Sequence, residues 1–257
     1  IALRFLNEGW NVVATMRDPA ASTLPESDRL RVLPLDVTDA RSIHDAVAKA
    51  GPIDVLVNNA GIGWLNAVEG TPLDMTRHIF ETNTLGTIAT MQAVLPAMRE
   101  RRSGVIVNVS SSTTLAPMAL LSVYAASKAA VNMLTQSAAL ELAEFGIRAR
   151  VVLPGAAPTT SFGNSARALI GRNGGFPEAY GDFVGKTMEA MQQHAAGPVT
   201  TAEDVAEAVL RAATDPDCPM MLPAGADAKA LAEGDEQVRG DAVWQLLHDE
   251  RITHLNG

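Results

Sequence analysis

The chain has 257 residues, 47% of them apolar and 19% charged, which is enough to bury a sizeable core and lies outside the composition of a disordered polymer. A net charge of −9, with no Lys/Arg run beyond Arg101-Arg102, speaks against a surface that tracks nucleic-acid phosphates. The single cysteine, Cys218, forbids an internal disulfide, the His residues have no second Cys with which to build a metal site, and the longest apolar stretch, 85–98, is too short to span a bilayer. No nucleic acid, membrane or metal is expected, and a reducing compartment such as the cytoplasm fits.

In chain order, helical spacing of apolar residues covers 1–7, and β-rich runs follow at 11–15 and 31–35. A helix over 40–50 leads to a strand at 54–58. Unbroken helical periodicity then runs over 73–101, followed by a strand at 104–110, a helix over 123–144 and a strand at 148–153. These strands are apolar at nearly every position, as strands buried on both faces must be. The alternation therefore predicts an α/β fold: a Rossmann-type doubly wound parallel sheet with helices on both faces, in one domain spanning 1–257. Residues 155–197 break the rhythm with Gly, Pro, Ser and Thr around two short helical stretches, and read as a substrate-binding loop region. A helix over 202–213 follows. The tail, 223–257, carries Gly225, Gly234, Gly240 and a weakly amphipathic stretch at 243–248, with no role legible in it.

Ligands of a doubly wound sheet bind beyond the carboxyl ends of its strands. Tyr124 and Lys128 lie four apart near the start of a helix, so both side chains face one pocket. A phenol with a pKa near 10 shuttles protons poorly at neutral pH. An ammonium about 4 Å away, at an effective dielectric of about 20, contributes about 4 kcal/mol, or roughly three pKa units, toward the phenolate. Ser111 stands thirteen residues before Tyr124, where the strand at 104–110 ends, and can polarise a carbonyl. Its neighbours Ser110 and Ser112 make a serine here uninformative by itself; the spacing favours Ser111.

A Ser followed by Tyr-x-x-x-Lys resembles the central signature of the short-chain dehydrogenase/reductases. Asn58-Asn59-Ala60-Gly61 is similar to that family's strand-ending element, Asn83 with Gly86 to its helix asparagine, Asp36-Val37 to its adenine-contacting pair, and Pro154-Gly155 with Thr159 to its nicotinamide-contacting segment. The likeness runs over about residues 1–213. It implies Tyr124 as general acid in reduction, Ser111 as the group orienting the substrate oxygen, and Lys128 on the nicotinamide ribose. Asn83 would support a water relay, and Asn58 would be structural as much as functional. The glycine usual three residues beyond the catalytic Ser is Thr114 here, which implies an altered substrate-side loop.

The strand at 11–15 is followed by Met16-Arg17 rather than an acid, and Arg at this place accommodates the 2′-phosphate of NADP(H). Leu115, Met118, Leu120, Leu121, Trp64, Phe162 and Met188 suggest an apolar pocket for a hydrophobic ketone or aldehyde and its alcohol. The alternatives are a halohydrin dehalogenase, which normally has Arg where Lys128 stands, and a catalytically silent nucleotide sensor. Helices 73–101 and 123–144 carry more apolar positions than one stripe needs, and the resemblance implies a homodimer or homotetramer built on them. Family members open with a strand and a glycine-rich turn, whereas residues 1–7 read as the helix after that turn. About 15 to 20 residues upstream of Ile1 are therefore expected in the natural protein.

Overall fold

The computed structural model describes residues 1–158, 161–194 and 199–234. Helix α1 (Ala2–Asn7) leads into β1 (Val12–Met16), then β2 (Leu30–Pro34), α2 (Ala40–Ala50) and β3 (Val55–Asn58). Next come α3 (Leu73–Phe80), α4 (Gly86–Glu100), β4 (Gly104–Val109), α5 (Ser122–Ala143) and β5 (Ile147–Pro154). The described chain ends with α6 (Ser161–Arg172), α7 (Gly181–His194), α8 (Ala202–Thr214), β6 (Met221–Ala224) and α9 (Ala226–Glu233). Every ladder is parallel, with β3-β4-β5-β6 in one group and β1-β2 in another.

The central strand explains the two-sided core. On β4, Val105, Val107 and Val109 pack with Phe5 of α1 and Val209 and Ala212 of α8, while Ile106 packs with Met91, Val94 and Met98 of α4 and Leu142 of α5. Successive side chains of a strand face opposite ways, so a strand covered by helices on both sides is apolar throughout. Asn108 is the exception. Its carbonyl oxygen accepts from Asn58 Nδ2 at 2.8 Å, and its own Nδ2 donates to Thr135 Oγ1 of α5 at 2.8 Å. Thr90 of α4 donates to Asn58 Oδ1 at 2.7 Å. This chain of side chains ties β3, β4, α4 and α5 together beneath the carboxyl edge.

Three expectations are corrected. The helix over 73–101 is two helices separated by a π-helical turn, Glu81–Leu85. The apolar spacing runs through the break, but Asn83 at its centre is anchored to the loop after β3, and Gly86 fits against Val37, whose side chain would lie 2.9 Å from a Cβ there. The tail assigned to 223–257 begins inside a strand, β6, which pairs with β5; at four residues including Pro223 it shows no alternation to recognise. The loop region 155–197 holds α6 and α7, longer than two short helical stretches. The stretch 243–248 lies outside the described residues.

Between β1 and β3 lies a cavity of about 690 Å³, lined by Val12–Thr15 on one side and Asp54–Ala60 on the other, with Val37, Gly86 and Thr90 at its end. It separates the two groups of strands.

Candidate active site

The end of β4 and the start of α5 are stitched together. Lys128 Nζ donates to the Val109 carbonyl at 3.0 Å, and Ser110 Oγ donates to the Lys128 carbonyl at 3.1 Å. Of the three adjacent serines, Ser110 is thus spent on the helix backbone, and Ser111 is the one whose hydroxyl lowers the Tyr124 phenol's pKa. Ser111 Oγ also accepts from the Thr113 amide at 3.2 Å and from Thr113 Oγ1 at 3.0 Å, which fixes its rotamer. Thr114 donates to the Ser111 carbonyl at 2.8 Å and accepts from Asn132 Nδ2 at 2.8 Å, so the residue standing where the family has glycine clasps this turn to α5.

Tyr124 and Lys128, one turn apart on α5, are 6% and 4% exposed, and Ser111 is 7% exposed. Their electrostatics differ from the sequence expectation. Burial pushes the Tyr124 phenol up to about 12, with the Ser111 hydroxyl pulling weakly the other way, and burial pushes Lys128 down to about 8. Desolvation of each charged form, rather than attraction between the two, sets both values.

Asn83 is fully buried and held at both ends of its amide. Its Oδ1 accepts from the Ile62 amide at 2.8 Å, and its Nδ2 donates to the Ile62 carbonyl at 3.0 Å and to Ser127 Oγ at 3.0 Å. The π turn supplies the offset that brings this side chain to the loop, a frequent use of such turns at functional sites. Gly61 fits closely here: a Cβ on it would sit 3.2 Å from Lys128 Nζ and 3.3 Å from Asn83 Oδ1, so those side chains would have to give way. Gly61 thus brings backbone without a side chain up to the Lys128 ammonium.

The Asp36 carboxylate accepts from the Thr38 amide and hydroxyl at 2.9 and 2.7 Å, and these bonds, with smaller help from Arg17 and His78, hold it below the usual carboxylate range. Arg17 is exposed just beyond β1, while its neighbour Asp18 turns to the Ala20 amide. Pro154 and Gly155 stand at the end of β5. Thr159 lies outside the described residues.

The Phe162 ring of α6 packs on Tyr124 with centroids 5.8 Å apart and covers Gly63. Trp64 is only 1% exposed and donates through Nε1 to Thr71, so it backs Tyr124 from the core and does not wall an open pocket. Leu120, four residues before Tyr124, has φ of 63°, a left-handed conformation costly for a residue with a Cβ. Its carbonyl accepts from the Asn66 amide, which holds the strained turn in place. No sequence signal marked that strain.

A family model described as short chain dehydrogenase matches residues 1–169. Oxidoreductase BOA17 of Botryotinia fuckeliana is 33% identical over 96% of this chain and 92% of its own length. Three other curated relatives are matched over 50% to 61% of theirs. A short-chain dehydrogenase structure from Streptomyces avermitilis superposes with a TM-score of 0.74 at 32% identity, over 100% of this chain and 94% of that one. One from Burkholderia cenocepacia J2315, in complex with NADP, gives 0.70 at 25% identity over 98% and 90%. The chain belongs to the short-chain dehydrogenase/reductase family, oxidoreductases that act on CH–OH and C=O groups with a nicotinamide cofactor.

Proposed function

We propose that this chain is an NADP(H)-dependent oxidoreductase interconverting a hydrophobic ketone or aldehyde and its alcohol, with Tyr124 as proton donor and acceptor. The observation that carries the reading is the buried convergence of the Tyr124 phenol, the Ser111 hydroxyl and the Lys128 ammonium at the end of β4. Lys128 spends one of its three donors on Val109, and backbone without side chains faces it at Gly61, which suits the two hydroxyls of a ribose. Asp36 and Val37 would flank adenine, Asn58, Ala60 and Gly61 would line the cofactor's path, and Pro154 and Gly155 would meet the nicotinamide end. Arg17, exposed with Asp36 beside it, would meet the 2′-phosphate.

The bound cofactor supplies the hydride. Everything else belongs to the chain. Ser111 holds the substrate oxygen, and Tyr124, protonated across neutral pH with its pKa near 12, gives its proton to that oxygen in reduction. Lys128 keeps a positive charge beside the site below about pH 8. Asn83, locked to Ile62 and Ser127, sets the loop after β3. Phe162 over Tyr124 keeps water from the reacting face and favours an apolar substrate.

The test is absorbance at the nicotinamide band with NADPH or NADH and a panel of hydrophobic ketones. Consumption of NADPH in preference to NADH is expected, and Arg17→Asp should shift the ratio of the two kcat/KM values toward NADH by at least about tenfold. No consumption of either cofactor overturns the reading, and an unchanged ratio removes Arg17 from cofactor choice.

A further inference from the structure

The chain leaves the sheet at the end of β5, makes a long excursion through α6 and α7, and returns just before α8. Both ends of the excursion meet at one carboxylate. Asp227, in the first turn of α9, accepts through Oδ2 from the Ala156 amide at 2.7 Å, where the excursion departs. Through Oδ1 it accepts from Thr200 Oγ1 at 2.6 Å, where the excursion returns. The two ends also bond each other: the Thr200 amide donates to the Ala156 carbonyl at 3.0 Å, and the Gly155 amide donates to Thr200 Oγ1 at 3.0 Å.

The junction has no spare room. A Cβ on Gly155 would lie 2.2 Å from each Asp227 carboxylate oxygen, and a Cβ on Gly225 would lie 1.9 Å from Thr200 Oγ1. Gly225 also has φ of 93°, and Thr200 is fully buried. Two glycines, a buried hydroxyl and a carboxylate at a helix start therefore form one polar clasp, with short bonds of the strength that a carboxylate acceptor gives.

We infer that Asp227 is a positioning residue: acting through Ala156 and Thr200, it fixes the position of α6 and α7, and with it both Gly155 at the nicotinamide end and Phe162 over Tyr124. The functional part rests on the oxidoreductase reading above; the clasp itself does not. Asp227 touches neither substrate nor reacting atoms. Its removal frees the excursion to swing, which weakens binding before it slows the proton step.

The experiment compares Asp227→Ala, Asp227→Asn, Thr200→Val and Thr200→Ser with wild type, by hydrogen exchange resolved along the chain, by tryptic cleavage after Arg172 and Lys186, and by kinetics with NADPH. Asp227→Ala and Thr200→Val should speed exchange and cleavage within α6 and α7 by about tenfold while leaving β3, β4 and β5 protected. KM for NADPH should rise by a similar factor with kcat changed less. Thr200→Ser should behave as wild type, and Asp227→Asn, which keeps one acceptor, should fall between. Unchanged exchange in the excursion overturns the proposal, as does a loss of protection spread evenly over the chain or a Thr200→Ser variant as loose as Thr200→Val. If Asp227→Ala fails to fold, Asp227→Asn and Thr200→Val carry the same comparison. Should wild type consume no cofactor, the oxidoreductase reading falls, and the exchange measurement still decides whether the clasp exists.

Discussion

Lys128 gives the site its charge and makes the fold sensitive to alkaline pH in a defined direction. Between about pH 8, where it titrates when folded, and its ordinary value of 10.5, the unfolded chain holds a proton that the folded chain does not, so stability rises with pH over that window. Tyr124 acts oppositely at higher pH: between 10 and about 12 the folded chain keeps a proton that the unfolded chain has lost, and stability falls. Lys128→Met abolishes the first leg. Denaturant unfolding should show the variant more stable near pH 7, with its advantage shrinking by about 2–3 kcal/mol by pH 10. Parallel stability curves would contradict the buried charge. The same variant should lose both turnover and NADPH affinity. Residue types and spacing made Ser111, Tyr124 and Lys128 legible in the sequence. They did not reveal that desolvation sets both pKa values, because that depends on helices and loops far along the chain closing over the pair.

At the level of elements, the polar tie from Thr90 through Asn58 and Asn108 to Thr135 joins two strands and two helices. Replacing Asn108 by Val keeps the volume close and takes that partner from the part-buried Asn58 and the buried Thr135, so a loss on the order of 1–3 kcal/mol is expected in denaturant unfolding. A variant as stable as wild type would mean that water replaces the tie. Strand β4 was readable because burial on both faces makes every other kind of residue costly, whereas the role of Asn108 depends on partners in β3 and α5 that no local pattern marks. The π turn at Glu81–Leu85 was not readable, since the apolar spacing of 73–101 continues across it and only the contact of Asn83 with Ile62 fixes the break. Strand β6 and the partners Thr200 and Asp227 were equally silent: four residues with a proline carry no period, and a pair 27 positions apart forms no motif.

For the whole molecule, the cavity between β1 and β3 divides what would otherwise be one sheet. Parallel sheets are stable when their strand edges are paired and their faces covered, and both strands have room for a parallel neighbour on this side. A strand-forming peptide added to the protein should raise its melting temperature and its affinity for NADPH. Equal melting and affinity would show that the slot takes no strand. The outer surface carries a second expectation. Met133 and Leu140, seven apart on one face of α5, are 64% and 81% exposed, and a homodimer or homotetramer that covers them is expected. Light scattering at the dimer or tetramer mass, lowered by Leu140→Glu, is the outcome that agrees; monomer mass throughout the micromolar range is the one that does not.

The central claim is that the buried phenol of Tyr124 on α5 moves the proton. Single-turnover oxidation of NADPH by the best ketone, in wild type and Tyr124→Phe, tests it most directly, because the variant keeps the ring and loses only the hydroxyl. A rate lower by about 10²- to 10⁴-fold with NADPH affinity unchanged is the predicted result. A variant that turns over near the wild-type rate would contradict the account.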